Sequence, residues 1–343
     1  MSARQKESLS FFAVGIFVGL IISIGGFSWY VRTCGAPGDA GSGKIILKLG
    51  HSLDPSHPVH KGMLFMAERL KEKSGGTVEL QIMPGGVLGS ETESIELLQR
   101  GALAMTKVST APMEGFVPEM AVFSLPYVFR NEDHFWNVLT SPLGKSLLLM
   151  SEKAGLRGLC YYDSGSRNFY TIDKPIRTPD DLKGVKIRVL KSPTAMDMVE
   201  VMGGSPAPIP WGELYTALQQ KMVDGAENNP PSFYTNRHFE VCKYFSFDEH
   251  TRIPDILLMS EKVWNSLTPQ VQQWVQEAAD ESSVFQRKLW KEKTDEAIAA
   301  VKEEGVEIIY PDKELFMKKV APMLEKYDGT PVGEILTQIK ETE

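Results

Sequence analysis

From residue 44 onward, apolar residues fall either in alternation or at spacings of three and four, and the two patterns take turns. Ile45 to Gly50 reads as a strand, and Pro58 to Lys73 as a helix with Met63, Phe65, Met66 and Leu70 on one face. Thr77 to Met83 alternates as a second strand and is broken by Pro84-Gly85-Gly86. Ser90-Glu91-Thr92-Glu93 is a capping box, in which serine and glutamate satisfy each other's backbone amides. The helix it opens runs to Arg100 and stops at Gly101, and Leu103 to Val108 is a third strand. Strand and helix in alternation predict an α/β fold with a largely parallel sheet.

The pattern continues beyond. Leu125 to Phe129 is apolar and aromatic, a helix starts near Glu132, and Gly155 to Tyr162 is another strand. Val185 to Leu190 is a strand and Pro193 to Met202 a helix. Trp211 to Lys221 is a further helix with Leu214, Ala217 and Leu218 on one side. Phe245 to Phe247 and Asp255 to Met259 are short strands. Thr268 and Pro269 form a helix start, after which neither proline nor glycine occurs before Gly305. A single helix of that length reaches about 55 Å, more than one small domain, so it is expected to lean across two. Val306 to Ile309 and helices from about Lys313 and Val332 complete the chain.

The first residues obey another rule. Arg4 and Lys6 precede an uncharged run from Leu9 to Val31, longer than the core of a typical signal peptide and long enough to span a bilayer. Positive residues ahead of such a run send the downstream chain across the membrane. A retained anchor at residues 9–31, a signal cleaved near Gly38-Asp39-Ala40 and a lipid on Cys34 all remain open, although Val31-Arg32-Thr33 suits lipid attachment poorly. Each implies export to the periplasm. Pro37 to Gly43 is a linker of small residues.

Composition narrows the classes. The 343 residues are 42% hydrophobic and 24% charged, which excludes wholesale disorder and allows two domains. A net charge of -7 without any long basic block speaks against a nucleic-acid partner. Cys160 and Cys242 could pair in an oxidising compartment, but they read better as two unrelated buried thiols. There is no nucleophile elbow, Walker loop, Gly-x-Gly-x-x-Gly or His-Glu-x-x-His. His57 and His60 beside Asp54 make a weak metal spacing and a better helix-start pair. No catalytic residue, metal or cofactor is expected.

What stands out instead is a set of arginines with an amide. Arg188 sits in Val185 to Leu190, where Val185, Ile187 and Val189 share one face and Lys186 and Arg188 the other. Arg167 sits in the Gly/Ser loop Ser164-Gly165-Ser166-Arg167, just past a strand end, where α/β sheets place ligands. Asn228 precedes Pro230-Pro231. Two guanidinium forks and an amide match an organic anion. A solvated strand edge, a surface loop and simple turn chemistry would account for the same three residues. Trp211 suits either a ligand face or the core, and Glu91 either hydroxyl binding or the helix dipole.

Longer runs carry a family resemblance. Leu182 to Val189, Gly204-Ser205-Pro206-Ala207-Pro208-Ile209-Pro210-Trp211-Gly212-Glu213-Leu214 and Val223-Asp224-Gly225-Ala226-Glu227-Asn228 resemble segments of the solute-binding proteins of TRAP transporters. Pro84 to Gly89 and Phe123-Ser124-Leu125-Pro126-Tyr127 do so upstream, in the same order. The resemblance spans nearly all of the chain after Lys44. It implies two α/β domains closing on an interdomain cleft, with a long C-terminal helix spanning both: residues 44–164 with 254–293, and 165–253 with 294–343, after a leader of 1–43. It implies that Arg188 pairs bidentately with a ligand carboxylate, with Arg167 and Asn228 nearby and Trp211 as a wall. His51, Ser52, Glu91 and Ser109 match first-domain positions that meet the rest of the ligand. Many sialate-binding relatives carry an acidic residue where Ser109 stands, which argues against sialic acid.

Glu227 to Tyr234 and Asp248-Glu249-His250-Thr251 resemble relatives that take hexuronates. The resemblance therefore implies capture of an organic acid, with glucuronate or galacturonate favoured over other sugar acids and C4-dicarboxylates. Delivery would be to TRAP membrane permease subunits. An exported enzyme acting on organic acids and an anion-binding sensory module are the alternatives. The enzyme would need a base beside the ligand carboxylate, and no candidate stands out.

Overall fold

Two mixed sheets organise the protein, whose computed structural model describes residues 43–343. The first elements are β1 (Ile45–Gly50), α1 (Pro58–Lys73), β2 (Val78–Met83), α2 (Glu91–Arg100) and β3 (Met105–Ser109). The ring of His57 caps α1 by accepting from Val59 N–H, and α2 has its Ser90/Glu93 capping box and a left-handed Gly101 at its end. Then come α3 (Thr110–Met113), a 3-10 segment at Pro118–Ser124, α4 (Glu132–Thr140), α5 (Pro142–Met150) and β4 (Leu156–Tyr162).

The chain next crosses to the second sheet. It builds β5 (Arg167–Thr171), β6 (Lys186–Val189), α6 (Pro193–Met202), β7 (Ser205–Pro208), α7 (Trp211–Gln219), β8 (Gly225–Asn228), α8 (Pro230–Thr235) and β9 (Tyr244–Thr251). It returns for β10 (Asp255–Ser260) and ends with α9 (Glu261–Ser266), α10 (Pro269–Glu303), β11 (Glu307–Ile309), α11 (Lys313–Glu325) and α12 (Pro331–Glu341). The strand orders are β2-β1-β3-β10-β4 and β11-β9-β5-β8-β6-β7.

Most strands of each sheet run in one direction, as the alternation predicts, and each sheet carries one reversed strand. β10 lies antiparallel between β3 and β4, and β5 antiparallel between β9 and β8. Both reversals arise from the crossings at residues 163–166 and 252–254. A strand arriving from the other sheet inserts without a linking helix, so no local period announces its direction. Arg167, expected in a loop, instead opens β5, and β7 and β8 form at proline- and glycine-bearing stretches where tertiary pairing overrides propensity.

The long helix forms as its missing breakers predict: α10 runs 35 residues, about 52 Å. It packs on α1, where Phe65 and Phe285 stack at 4.4 Å, and further along it meets α8. α11 packs on α6 beside the second sheet, whereas α12 lies against Pro118–Ser124. Arg130 donates to the carbonyls of Lys340 and Thr342, and the His134 ring meets that of Ile339, so the chain end straps back onto the first layer. Cys160 and Cys242 are free and buried. The run from Leu9 to Val31 and Cys34 lie outside the described residues. Among the described residues no helix is long and apolar enough to cross a membrane.

Candidate functional site

Where the two sheets face each other, two adjoining cavities of about 660 and 40 Å³ share Ser52, Glu91, Leu190 and Trp211 on their walls. The larger is of the size that holds small molecules.

Arg188 reaches the larger cavity from β6, whose register pairs it with Ala226 on β8 and Ala207 on β7. It is 1% exposed. Its Nε donates to the Ile209 carbonyl at 2.8 Å, while its buried Nη1 has no partner among the described residues. The indole of Trp211, the first residue of α7, stands 5.6 Å from the guanidinium carbon, and its buried Nε1 also lacks a partner. Burial, with Arg167 adding repulsion, pulls the Arg188 pKa below its ordinary value, while Glu227 opposes this. A guanidinium stays charged regardless, so the cavity wall presents a desolvated cation with an unused donor. Buried donors are nearly always satisfied, and an anion supplied from outside the chain would satisfy these.

Arg167 is placed differently. Its Nε and Nη2 engage the Glu227 carboxylate, Nη2 also donates to the Glu227 carbonyl at 2.7 Å, and Nη1 donates to Asn228 Oδ1 at 3.0 Å. Glu227 is in turn 3.4 Å from His250 Nε2, and Asp248 holds His250 Nδ1 at 2.7 Å. These four groups are all buried and alternate in sign. Burial would neutralise Glu227, but Arg167 and His250 hold its pKa down to about 2. Burial likewise works against the imidazolium of His250, and Asp248 and Glu227 raise it to about 9. Arg167 therefore lines the inner cavity with its charge already matched. The Asn228 oxygen is taken by Arg167 and by the Asn229 N–H, which leaves the amide NH₂ to offer a ligand.

Of the remaining residues singled out from sequence, Ser52, Glu91 and Ser109 all reach the inner cavity, and Ser109 N–H donates to Glu91 Oε1 at 3.0 Å. His51 lines neither cavity. Its Nδ1 accepts from Leu53 N–H, so its Nε2–H points to His60 Nδ1 at 3.0 Å.

Sequence reading missed Lys107 and Asp255, paired at 2.9 Å in the inner cavity, and His57, whose Nε2 lies 3.1 Å from Ser232 Oγ. A lysine inside the wholly buried strand Met105–Ser109 was the available signal. Burial, with Glu91 adding to it, raises the Asp255 pKa against the pull of Lys107. His57 is kept neutral by burial and by Lys107. Its Nδ1 accepts from Val59 N–H, so the proton sits on Nε2 and is donated to Ser232.

Residues 49–330 match the family described as bacterial extracellular solute-binding protein, family 7. The Salmonella typhimurium LT2 protein YiiZ is 42% identical over 84% of this chain and 87% of its own length. A TRAP periplasmic solute-binding protein from a Bradyrhizobium species, solved in complex with galacturonate, matches with a TM-score of 0.84 at 39% identity, covering 86% of this chain and 99% of that one. Another from Anaerococcus prevotii, solved with bound glucuronate, gives a TM-score of 0.85 at 36% identity, covering 87% and 98%. The chain belongs to the bacterial extracellular solute-binding proteins of family 7.

Proposed function

We propose that this chain is the extracytoplasmic subunit of a TRAP transporter and that it captures a hexuronate, glucuronate or galacturonate, for delivery to a membrane permease. The observation that carries this reading is Arg188: buried at the cavity wall, charged, and without an anionic partner of its own. A ligand carboxylate supplies the missing counter-charge and accepts from the idle Nη1, and Asn228 adds its amide. Trp211 walls the sugar ring. Ser52, Glu91 and Ser109 meet the hydroxyls from the other sheet. Contacts from both sheets give the closed form a higher ligand affinity than the open one, which is what closure requires. The relatives solved with galacturonate and with glucuronate support the choice of solute.

Binding without turnover fits the serine–histidine contact at the site. The His57 nitrogen facing Ser232 carries the proton, so it cannot take one from the hydroxyl, and the serine is not activated. The division into residues 44–164 with 254–293 and 165–253 with 294–343 is proposed for the closing lobes, with α12 as a strap between them. Retention of residues 9–31 would tether the binder beside its permease, and mass spectrometry of the mature N-terminus checks that.

Isothermal titration of the full-length chain in detergent, with galacturonate, glucuronate and succinate, tests the function. Saturable heat with a uronate, and recovery of that uronate unchanged after hours, is the expected result. A strong succinate signal with no uronate heat, or conversion of the ligand, would overturn it.

A further inference from the structure

The site has two poles of opposite charge. At one, Arg188 makes no ion pair with a described residue, while the nearby Arg167 is cancelled by Glu227. At the other, Lys107 Nζ lies 2.9 Å from Asp255 Oδ2 and 3.6 Å from Glu91 Oε1. One ammonium there serves two carboxylates, so this pole carries an excess negative charge. Lys107 and Asp255 are buried, and burial limits how far water and salt can screen that excess.

The hydrogen-bonding capacity at this pole has the same bias. Glu91 Oε1 is held by Ser109 N–H, while Oε2 makes no hydrogen bond to a described residue, and Glu91 lines both cavities. A free carboxylate oxygen accepts from a hydroxyl. It can only repel a second carboxylate, which has nothing to donate. Lys107 does not reverse this, because Asp255 already neutralises it at hydrogen-bond distance.

We propose that Glu91, with the buried Lys107–Asp255 pair behind it, restricts the site to acids carrying a single carboxylate, by reading hydroxyls and rejecting a second anionic group. This rests on the reading of Arg188 as the carboxylate clamp and names the solute class more narrowly: monoanionic polyhydroxy acids, not dicarboxylates or aldarates.

Galactonate and galactarate test the rule, since they share hydroxyls and chain length and differ only in whether the far carbon is CH₂OH or a carboxylate. Titrated into the full-length chain, galactarate is expected to bind at least ~100-fold more weakly. Glu91→Gln retains an oxygen to accept from Ser109 N–H and removes the excess charge, and should narrow that ratio by about tenfold or more. Asp255→Asn, made at a separate position, should narrow it in the same direction. The rule is overturned where galactarate binds the wild type within about threefold of galactonate, or where both variants keep the wild-type melting behaviour and the wild-type ratio. The clamp itself fails on a different result, saturable binding of neutral hexoses or no heat with galacturonate. Strong galactarate binding alongside galacturonate would remove only the rule.

Discussion

Arg167 and Glu227 lock together through three contacts, two from the guanidinium to the carboxylate and one to the Glu227 carbonyl, and this pairing sets Arg167 apart from Arg188, which makes no ion pair with a described residue. The two arginines sit on strands separated by β8 alone, and both are buried. One has its charge matched within the fold. The other has no counter-charge among the described residues.

Arg188→Met separates these roles. Replacing an uncompensated buried cation with an apolar side chain of similar length is often neutral or stabilising. The expected outcome is an unchanged or raised melting temperature without ligand, together with at least ~100-fold weaker uronate binding, from the loss of a charge-assisted bidentate pair. Melts and titrations on one preparation check both halves. A parallel fall in stability and affinity would show that Arg188 is a structural group.

Glu227→Gln should do the reverse in stability. It leaves Arg167 buried without its counter-charge, and breaking a buried pair in that way costs about 3–5 kcal/mol. Urea unfolding with an unchanged slope and a lowered midpoint is the measurement. A loss below about 1 kcal/mol would mean that the pair is far more hydrated than its burial implies.

How much of this was legible in sequence depends on how far apart the partners lie along the chain. The helix starts at Ser90, Thr268 and Pro193 are local chemistry and stand where their caps predict. Arg188 was visible because alternation put it opposite Val185, Ile187 and Val189, although alternation could not say what covers it. Lys107 meets Asp255 across 148 residues and Arg167 meets Glu227 across 60, so no local pattern shows either pair. His51 was singled out by the family resemblance, yet its ring turns back on the Leu53 amide two residues away and faces His60. Direction of a side chain, unlike its type, is a tertiary fact.

The pH dependence of stability should carry the mark of His250. Its pKa is raised from 6.5 to about 9 by Asp248 and Glu227, so its contribution is fully present below pH 6.5 and lost as pH rises through about 9. Across that window the loss is on the order of 1–3 kcal/mol. His250→Gln should be less stable at pH 6 and should lose less than the wild type between pH 6.5 and 9. Denaturant midpoints across that range, taken as wild type minus variant so that other titrating groups cancel, give the comparison. A constant difference across the range would place no titration at His250.

Gly62 tests how the long helix is tied to the crossing between sheets. A Cβ built at Gly62 falls 2.8 Å from Gln286 Cβ on α10, too close for real atoms. Gln286 cannot swing aside easily. It is fully buried, its Nε2 donates to the Asp163 carbonyl at 2.8 Å, and its Oε1 accepts from Asp163 N–H at 2.7 Å. Asp163 begins the segment by which the chain leaves the first sheet, so strain at Gly62 is passed to the crossing. Alanine gains about 1 kcal/mol of helix propensity over glycine, while overpacking costs about 1–3 kcal/mol, so Gly62→Ala should be destabilised by up to about 2 kcal/mol. Gly212→Ala is the control, since a Cβ there meets open space and only the propensity gain remains. Equal midpoints for Gly62→Ala and Gly212→Ala in urea would show that α1 and α10 can part without cost, and the link to the crossing would have to be abandoned.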